Sequence, residues 1–326
     1  MTSRAILINL SLAALAAILA AGSLFAGPVF TPLDVLIHPQ DPRFTILWEL
    51  RAPRTLLAAL IGGTLGLSGA ALQGFSRNPL ADPGVLGVSA SAAFGAVLAL
   101  YFGWTAASSW LLPLAAMAGA GLGVVALLAL GGSGGGVTRF LLAGAAVNTL
   151  AGAGVALALS LAPGPWAQGE IMTWLMGSLS DRSFEEVRLA APFMLTGAAI
   201  LLLQARALDA FTLGEVGARS LGVSPARMQG LLVLALGLSV GSGVAVAGVI
   251  GFVGLIAPHL MRPFVGERPG ALLVPSALAS MVLTLAADSL IRLLPTGSEL
   301  RLGVVMSALG APFFLALLIL RRRSLT

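Results

Sequence analysis

Long apolar runs separated by short polar segments make up most of this chain. A helix that crosses a bilayer needs about 20 mostly apolar residues. Nine runs fit that length: 5–26, 54–75, 85–103, 109–131, 138–161, 188–206, 228–250, 271–293 and 303–320. The stretch 251–265 is apolar but shorter and contains Pro258, which predicts a short returning helix. The pattern predicts an all-α polytopic membrane protein with about ten transmembrane helices, in which residues 1–326 form a single membrane domain.

The polar segments between the runs predict the orientation. Ten crossings place both termini on one side of the membrane. If that side is the cytoplasm, the inner segments carry eleven arginines against four acidic residues, a net +7. The outer segments then carry seven arginines against nine acidic residues, a net −2. Because basic residues concentrate in cytoplasmic loops, both termini are predicted to be cytoplasmic, in a multi-pass membrane protein.

The first apolar run has an alternative interpretation as a cleaved signal peptide. Arg4, the apolar run and the small residues near Ala26 fit that pattern loosely. The apolar core is long for a signal peptide, and cleavage would leave nine spans. The run is therefore interpreted as the first transmembrane helix.

Composition excludes several classes of protein. The chain is 58% apolar and 10% charged with a mean hydropathy of +0.99, which leaves too little polar surface for a soluble domain. Despite a pI near 11.3, the charges are spread thinly between apolar runs, so a nucleic-acid partner is not expected. Cysteine is absent, which excludes disulfides and thiolate metal sites. The 18 basic residues are all arginine, so the chain has no P-loop lysine, and any ATP hydrolysis belongs to another chain.

One polar segment, GFSRNPLADPGVLGVSASA at 74–92, lies between two apolar runs. It contains helix-ending and helix-starting residues and a glycine that permits a tight reversal: Asn78, Pro79, Pro83 and Gly87. From the topology, this segment is predicted to form a structural turn at the cytoplasmic end of the second span.

Seven motifs together resemble a known family. They are RAPRTLLAALIGGTLGLSGAALQ (51–73), RNPLADPGVLGVS (77–89), WLMGSL (174–179), LGEVGARSLGV (213–223), GVIGFVGLIAPHLMR (248–262), ADSLIR (287–292) and LGAPFF (309–314). In order and spacing, over about residues 50–320, they resemble the permeases of type II ABC importers for iron–siderophore complexes, haem and vitamin B12. The resemblance implies a homodimer of ten-helix subunits in the bacterial inner membrane, two cytoplasmic ATPase subunits and a periplasmic substrate-binding protein.

The longest predicted cytoplasmic loop, 207–227, has helical character. Glu215 and Arg219 form an i,i+4 pair, and Gly222 and Pro225 end the helix. A short polar helix on the inner face has little core to fill, which favours docking onto a soluble partner over a merely solvated loop. In the family this is the coupling helix that rests on the ATPase. The corresponding residues here are Leu213, Gly214, Glu215, Ala218, Arg219, Leu221 and Gly222.

Arg51, Arg54 and Arg292 lie near the predicted outer ends of spans. Arginines at such positions commonly anchor a helix at the membrane interface. The family uses arginines at matching positions to bind glutamates of the binding protein, so the resemblance implies a docking role for these three. Asp288 is four residues before Arg292 on one helix, and an internal ion pair is the alternative for Arg292.

Two further positions carry predictions about chemistry. His259, next to Pro258 in APHLMR, is one of two histidines and cannot form a metal cage alone, so both residues are assigned to a structural motif. Asn148 in the fifth span, with Val137 and Thr138 at its cytoplasmic entrance, matches the region where the family narrows and is a candidate gate. Interhelical hydrogen bonding is the alternative for Asn148.

The chain departs from the family at Glu299-Leu300-Arg301, where Glu-Leu-Pro is usual. Arg301 adds positive charge to the predicted outer rim.

The predicted function is that of a permease subunit of a binding-protein-dependent ABC importer. It would translocate a bulky metal chelate by ATP-driven alternating access, without being an enzyme and without binding a cofactor itself. An iron–siderophore is the favoured substrate, with vitamin B12 or haem as alternatives. An ion-driven secondary transporter is less favoured, because only Asp288 comes near mid-membrane. An intramembrane enzyme is disfavoured because the sequence has no HExxH motif and no paired intramembrane aspartates.

Overall fold

A computed structural model of the chain describes residues 3–132, 136–294 and 300–322. These residues form helices and connecting segments without a β-strand. The longer helices are α1 (Ser3–Phe25), α2 (Ala52–Ser76), α3 (Val88–Tyr101), α4 (Leu111–Gly131), α5 (Gly136–Ser160), α6 (Pro165–Leu175), α7 (Phe184–Leu203), α8 (Ala205–Phe211), α9 (Gly214–Ser220), α10 (Pro225–Leu236), α11 (Val253–Val265), α12 (Pro269–Leu293) and α13 (Leu302–Arg322). Short helical turns lie at Leu33–Ile37, Pro83–Leu86 and Trp104–Ala106.

Two helices are extended through π-helical turns. Pro42–Thr45 and a π turn at Ile46–Arg51 run directly into α2, so that Pro42–Ser76 is one helix of 35 residues. Likewise α10 continues through a π turn at Gly237–Gly241 into Ser242–Ala247. Such turns reorient the side chains that follow them and are common at functional sites.

The predicted membrane spans are confirmed in part. Among the described residues, seven helices are long and apolar enough to cross a bilayer, and three shorter apolar helices accompany them. The predicted short helix at 251–265 is α11. The predicted span 85–103 is the 14-residue helix α3, which begins at Val88 and measures about 21 Å, less than the apolar thickness of a bilayer.

The short α3 has a structural cause in the segment 77–87. Arg77 ends α2 in the left-handed region, at φ 49°, and Asp82 Oδ1 accepts a hydrogen bond from Gly84 N at 2.7 Å. The chain then re-enters the bundle, because Leu86 packs beneath Gly144 and Gly87 lies against Asn148, halfway along α5. The prediction of a turn at the end of the second span is therefore wrong for the second half of the segment.

The connections meet at two ends of the bundle. At end A, Ser178 N donates to Ala247 O at 2.7 Å and Gly303 N donates to Gly177 O at 3.1 Å. At end B, Arg268 pairs with Asp209 at 2.7 Å. End A therefore carries the segments 26–51 and 161–183 together with residues 294, 300 and 301, and end B carries 204–224.

Helix α2 lies at the centre of the core. Most of its residues are buried, and near end B Phe75 stacks on Phe211 and meets Phe140 edge to face. Small residues allow α2 to approach its neighbours closely. A Cβ at Gly66 would collide with the backbone oxygen of Ser276 on α12, and a Cβ at Gly69 with that of Gly254 on α11.

The first apolar run is an integral part of this bundle. Ser23 on α1 shares a hydrogen bond with Thr55 on α2, Oγ to Oγ1, at 2.9 Å. Ser23 also accepts hydrogen bonds from Arg292 on α12. The interpretation of α1 as the first helix of the bundle agrees with these contacts.

Candidate functional site

Two of the three predicted docking arginines share a buried carboxylate at end A. Arg54 donates from Nε at 2.9 Å and from Nη2 at 2.8 Å to Oδ1 of Asp288, whose side chain is fully buried. Arg292 approaches Asp288 Oδ2 at 3.1 Å, so the predicted pair within α12 is present. Two guanidinium groups around one carboxylate satisfy a charge that could not otherwise be buried.

The third arginine, Arg51, forms hydrogen bonds to the segment that precedes it. Arg51 is buried and donates to the backbone oxygens of Leu24 at 3.1 Å and Val29 at 2.6 Å, and to Thr31 Oγ1 at 2.7 Å. Its guanidinium also lies against Gly27. Arg51 therefore holds the connection between α1 and α2 in place.

Because of these contacts, the three arginines do not form an exposed basic rim. The three arginines line a cavity of about 440 Å³ at end A together with Gly27, but their guanidinium groups are bonded within the chain. Docking of a partner stays a prediction, and it requires that partner to compete with Asp288 for Arg54 and Arg292.

The predicted coupling loop forms a helical hairpin at end B, made of α8 and α9. Asp209 at the end of α8 accepts hydrogen bonds from Arg268 Nε at 2.7 Å and from Gly270 N at 2.8 Å. These bonds hold the hairpin against the start of α12. At the other end, Gly222 has φ +80° and Ser224 caps α10 through the backbone N of Arg227.

The hairpin presents apolar side chains to the outside. Leu213, Val216 and Leu221 are 67%, 76% and 62% exposed, whereas Ala218 on the opposite face of α9 is fully buried. Glu215 and Arg219 form the predicted i,i+4 pair at 3.7 Å. Because α9 lies outside the candidate spans, its exposed apolar face is typical of a protein–protein contact.

The predicted gate residues lie at two different depths. Val137, half-buried, starts α5, and its backbone N donates to Glu215 Oε1 at 3.3 Å. Thr138 is exposed beside it. Asn148 lies ten residues further along α5, about 15 Å away. The helical hairpin therefore contacts the beginning of α5 directly, while Asn148 belongs to a separate region.

That region is a cavity of about 260 Å³ halfway through the bundle, which we call the mid-depth cavity. It is lined by Asn148 and Gly152 of α5, by Asp82 and Ser89, and by the segment 249–252 among others. Asp82 was expected in a cytoplasmic turn, and its position beside Asn148 was missed. Pro83 and Gly87 permit the re-entrant course, but they permit a simple turn equally well, so the local sequence did not distinguish the two.

The remaining motif residues have structural roles. Asn78 Oδ1 accepts from Leu80 N at 3.0 Å and so shapes the turn that contains Pro79. Pro83 is buried, and Pro258 is buried inside α11. The ring of His259 meets Phe313 of α13 edge to face, with centroids 5.9 Å apart.

Metal ligation finds no support among the described residues. In 3–132, 136–294 and 300–322, no three His, Cys, Asp or Glu side chains cluster as a metal site would require.

Of the residues singled out from the sequence, Glu299 lies outside the described residues.

This helical bundle has counterparts among known proteins. Residues 13–321 match the FecCD transport family. The chain belongs to this family.

Relatives within the FecCD transport family are similar over most of their length. The vitamin B12 import permease BtuC of Vibrio cholerae is 40% identical over 278 residues, 84% of this chain and 82% of that protein. The hemin transport permease HmuU of Yersinia pestis is 38% identical over 319 residues, 94% and 93% of the two chains. The ABC transporter permease YvrB of Bacillus subtilis is 38% identical over 293 residues, 88% and 82% of the two chains.

The fold is shared with a solved ABC transporter. An inward-facing structure assigned to the metal-chelate type of ABC transporter superposes with a TM-score of 0.85 at 30% identity, covering 97% of this chain and 99% of that one. The relatives named for vitamin B12 and for hemin are 40% and 38% identical to this chain, so overall similarity does not distinguish the two cargoes.

Proposed function

We propose that this FecCD-family permease is the membrane subunit of a binding-protein-dependent ABC importer for a bulky metal chelate. The favoured cargo is an iron–siderophore complex, with vitamin B12 or haem as alternatives. Two copies of the chain would form the translocation unit, with an ATPase on each copy at end B and a periplasmic binding protein at end A. End B carries the arginine-rich segments and is therefore the cytoplasmic end.

The exposed apolar face of α9 carries this proposal. Leu213, Val216 and Leu221 project from a hairpin that lies outside the candidate spans and is fixed by Asp209. Water-exposed apolar groups of this kind are stabilised when a soluble partner covers them. A partner that hydrolyses ATP suits a chain without a P-loop lysine, and the permease itself then needs neither ATP nor another cofactor.

The mechanism follows from the link between α9 and α5. Closure of the ATPases on ATP would shift α9, and the hydrogen bond from Val137 to Glu215 would carry that shift into the start of α5. Helix α5 also lines the mid-depth cavity through Asn148 and Gly152. Movement of α5 would thus widen or close the path halfway through the membrane, which is alternating access.

Affinity purification from the native membrane in mild detergent tests the proposal. We expect an ATPase subunit at one-to-one stoichiometry with the unaltered chain. The double variant Val216→Ser, Leu221→Ser should recover at least tenfold less. Val29→Ser, which makes an exposed apolar residue at end A polar, is the matched control and should recover the normal amount. Recovery of the unaltered chain without an ATPase, with uptake that depends on an ion gradient, would instead support a secondary transporter.

A further inference from the structure

A second cavity at end A has a wall rich in hydrogen-bond donors. Its volume is about 630 Å³, and its lining comes from α6, the loop 178–182, the end of the α10 extension and the start of α13. We call it the vestibule. The residues used below are Trp166, Glu170, Trp174, Asp181, Arg182 and Arg301.

The vestibule is held in shape by a tight loop. Gly177 has φ +70° and Asp181 has φ 57°, both in the left-handed region, and Ser178 Oγ donates to Ser180 Oγ at 2.9 Å. Backbone bonds tie this loop to Ala247 and to Gly303. A non-glycine residue at positive φ persists only where its surroundings determine the conformation. The loop therefore places Arg182 in a fixed position in the wall.

Two guanidinium groups face a shared space in the vestibule. Both Arg182 and Arg301 are half-buried. Burial lowers the pKa of Arg182; the carboxylates of Glu186 and Asp181 raise it, and the cation of Arg301 lowers it. Two cations brought together in a partly dehydrated cavity are stabilised by an anion between them.

The protein satisfies only part of the donor capacity of this wall. Arg182 Nε and Trp174 Nε1 are buried, and neither has a hydrogen-bond partner among the described residues. A buried N–H without an acceptor costs about 1–3 kcal/mol. Neither atom is exposed to the cavity, so contact with a ligand falls to the exposed parts of the two guanidinium groups.

The acidic residues of the vestibule lie at its rim. Glu170 and Asp181 are exposed to solvent, whereas the two arginines are half-buried. Carboxylates in water are screened and well hydrated, so they oppose an anion in the cavity weakly. Glu186, which is also half-buried, does not line the cavity and accepts hydrogen bonds from Ser183 N and Oγ. Within the lining itself the half-buried charged positions are therefore held by cations, which favour an anionic ligand.

The vestibule leads toward the mid-depth cavity. Trp174 lines the vestibule and its neighbour Leu175 lines the mid-depth cavity. In the same way Ala247 lines the first and Val249 the second. The two cavities therefore follow one another along one side of the bundle, from end A to its middle.

We propose that the vestibule is an entry site for a metal chelate that carries free carboxylates, held by Arg182 and Arg301. This inference rests on the proposed function and narrows its cargo to anionic chelates. Neutral chelates lack the acceptor charge that two arginines select.

Binding can be measured on the full chain in lipid nanodiscs by tryptophan fluorescence. Ferric dicitrate is the anionic probe and ferrichrome the neutral one, and iron in either quenches nearby indoles. We expect saturable quenching by ferric dicitrate that weakens with added salt. Arg182→Gln and Arg301→Gln should each raise the apparent Kd about tenfold, as loss of one charge-assisted hydrogen bond predicts. Trp166→Phe should reduce the amplitude of quenching without changing the Kd.

Arg188→Gln is the matched control, because Arg188 is exposed on α7 and does not line the vestibule. It removes the same charge and should leave the Kd unchanged. Equal binding of ferrichrome and ferric dicitrate would overturn the proposal, as would a normal Kd in both vestibule variants.

The ATPase content of the same preparations separates this inference from the proposed function. If an ATPase co-purifies but the vestibule variants bind the chelate with a normal Kd, the proposed importer function is supported and the entry site is contradicted. If binding depends on the two arginines but no ATPase co-purifies with the chain, the anion site is supported and the proposed importer function is contradicted.

Discussion

Glu215 Oε1 accepts a hydrogen bond from the backbone N of Val137 at 3.3 Å, although the two residues are 78 positions apart in the sequence. The acceptor is a carboxylate and the donor is in the first turn of α5, where the helix dipole favours a negative charge. The hairpin at end B and the helix that lines the mid-depth cavity are thus joined by one side chain.

Removing this link should uncouple the two regions. Glu215→Ala is expected to lower the amount of cargo moved per ATP hydrolysed by several-fold, because α5 no longer follows α9. Glu215→Gln keeps an oxygen acceptor and should have a smaller effect. Both ratios can be measured in proteoliposomes that contain the complete transporter.

Arg219→Gln is the control for this pair. It removes the ion pair with Glu215 at 3.7 Å but leaves the bond to Val137 in place. Arg219 is well exposed, and exposed ion pairs stabilise little. If Arg219→Gln lowers transport as much as Glu215→Ala does, the ion pair and not the link to α5 is what matters.

Asp288→Asn should destabilise the fold strongly. The substitution leaves the Arg54 and Arg292 guanidinium groups beside a neutral amide in a buried region, and removal of one member of a buried ion pair costs about 3–5 kcal/mol. The readout is the temperature of loss of monodisperse protein in detergent. The control is Asp181→Asn, which changes an exposed carboxylate at the same end and should leave that temperature unchanged within error. A similar drop in both variants would contradict the structural role assigned to the buried Asp288 carboxylate.

Gly66→Ala tests the close approach of α2 and α12. The added methyl group collides with the backbone oxygen of Ser276 and with Ser280, so the helices must separate. Overpacking of this kind costs about 1–3 kcal/mol. Gly152→Ala, within α5 with nothing near its Cβ position, should be neutral or stabilising by up to about 1 kcal/mol. The comparison uses thermal unfolding of both variants in one detergent.

Gly222→Val should disturb the hairpin through its backbone. Gly222 has φ +80° and open space around its Cβ position, so only conformational strain opposes a side chain there. A β-branched residue in this region costs about 1–2 kcal/mol, whereas asparagine tolerates it. We expect ATPase recovery to fall with Gly222→Val and to stay near normal with Gly222→Asn. Equal recovery in both would show that the end of α9 is not needed for docking.

The spans could be predicted from the sequence because each apolar run carries its own signal for a helix in lipid. The i,i+4 pairs Glu215–Arg219 and Asp288–Arg292 were equally accessible, since both members lie on one helix. The hairpin with its arginine and glutamate could be placed for the same reason. What these features share is that they depend on local spacing.

The features that were missed depend on tertiary packing. Arg54 meets Asp288 across 234 positions, so an arginine interpreted as exposed is bound within the core. Asp82 reaches the mid-depth cavity because Leu86 packs beneath Gly144, a contact that local patterns do not encode. The vestibule likewise assembles Arg182 and Arg301 from loops far apart in the chain.

The glycine contacts of α2 divide the bundle into parts that can and cannot move against each other. Gly62 and Gly66 lie against α12 and Gly69 against α11 with no room for a single carbon atom. Thr284 Oγ1 adds a hydrogen bond to Ala58 O at 2.9 Å between α12 and α2. A one-residue slide of α2 would bring Leu65 or Leu67 to the position of Gly66 and force the helices apart. Helices α2, α11 and α12 are therefore expected to move as one rigid unit, so a motion that opens a path through the bundle would come from the helices around them.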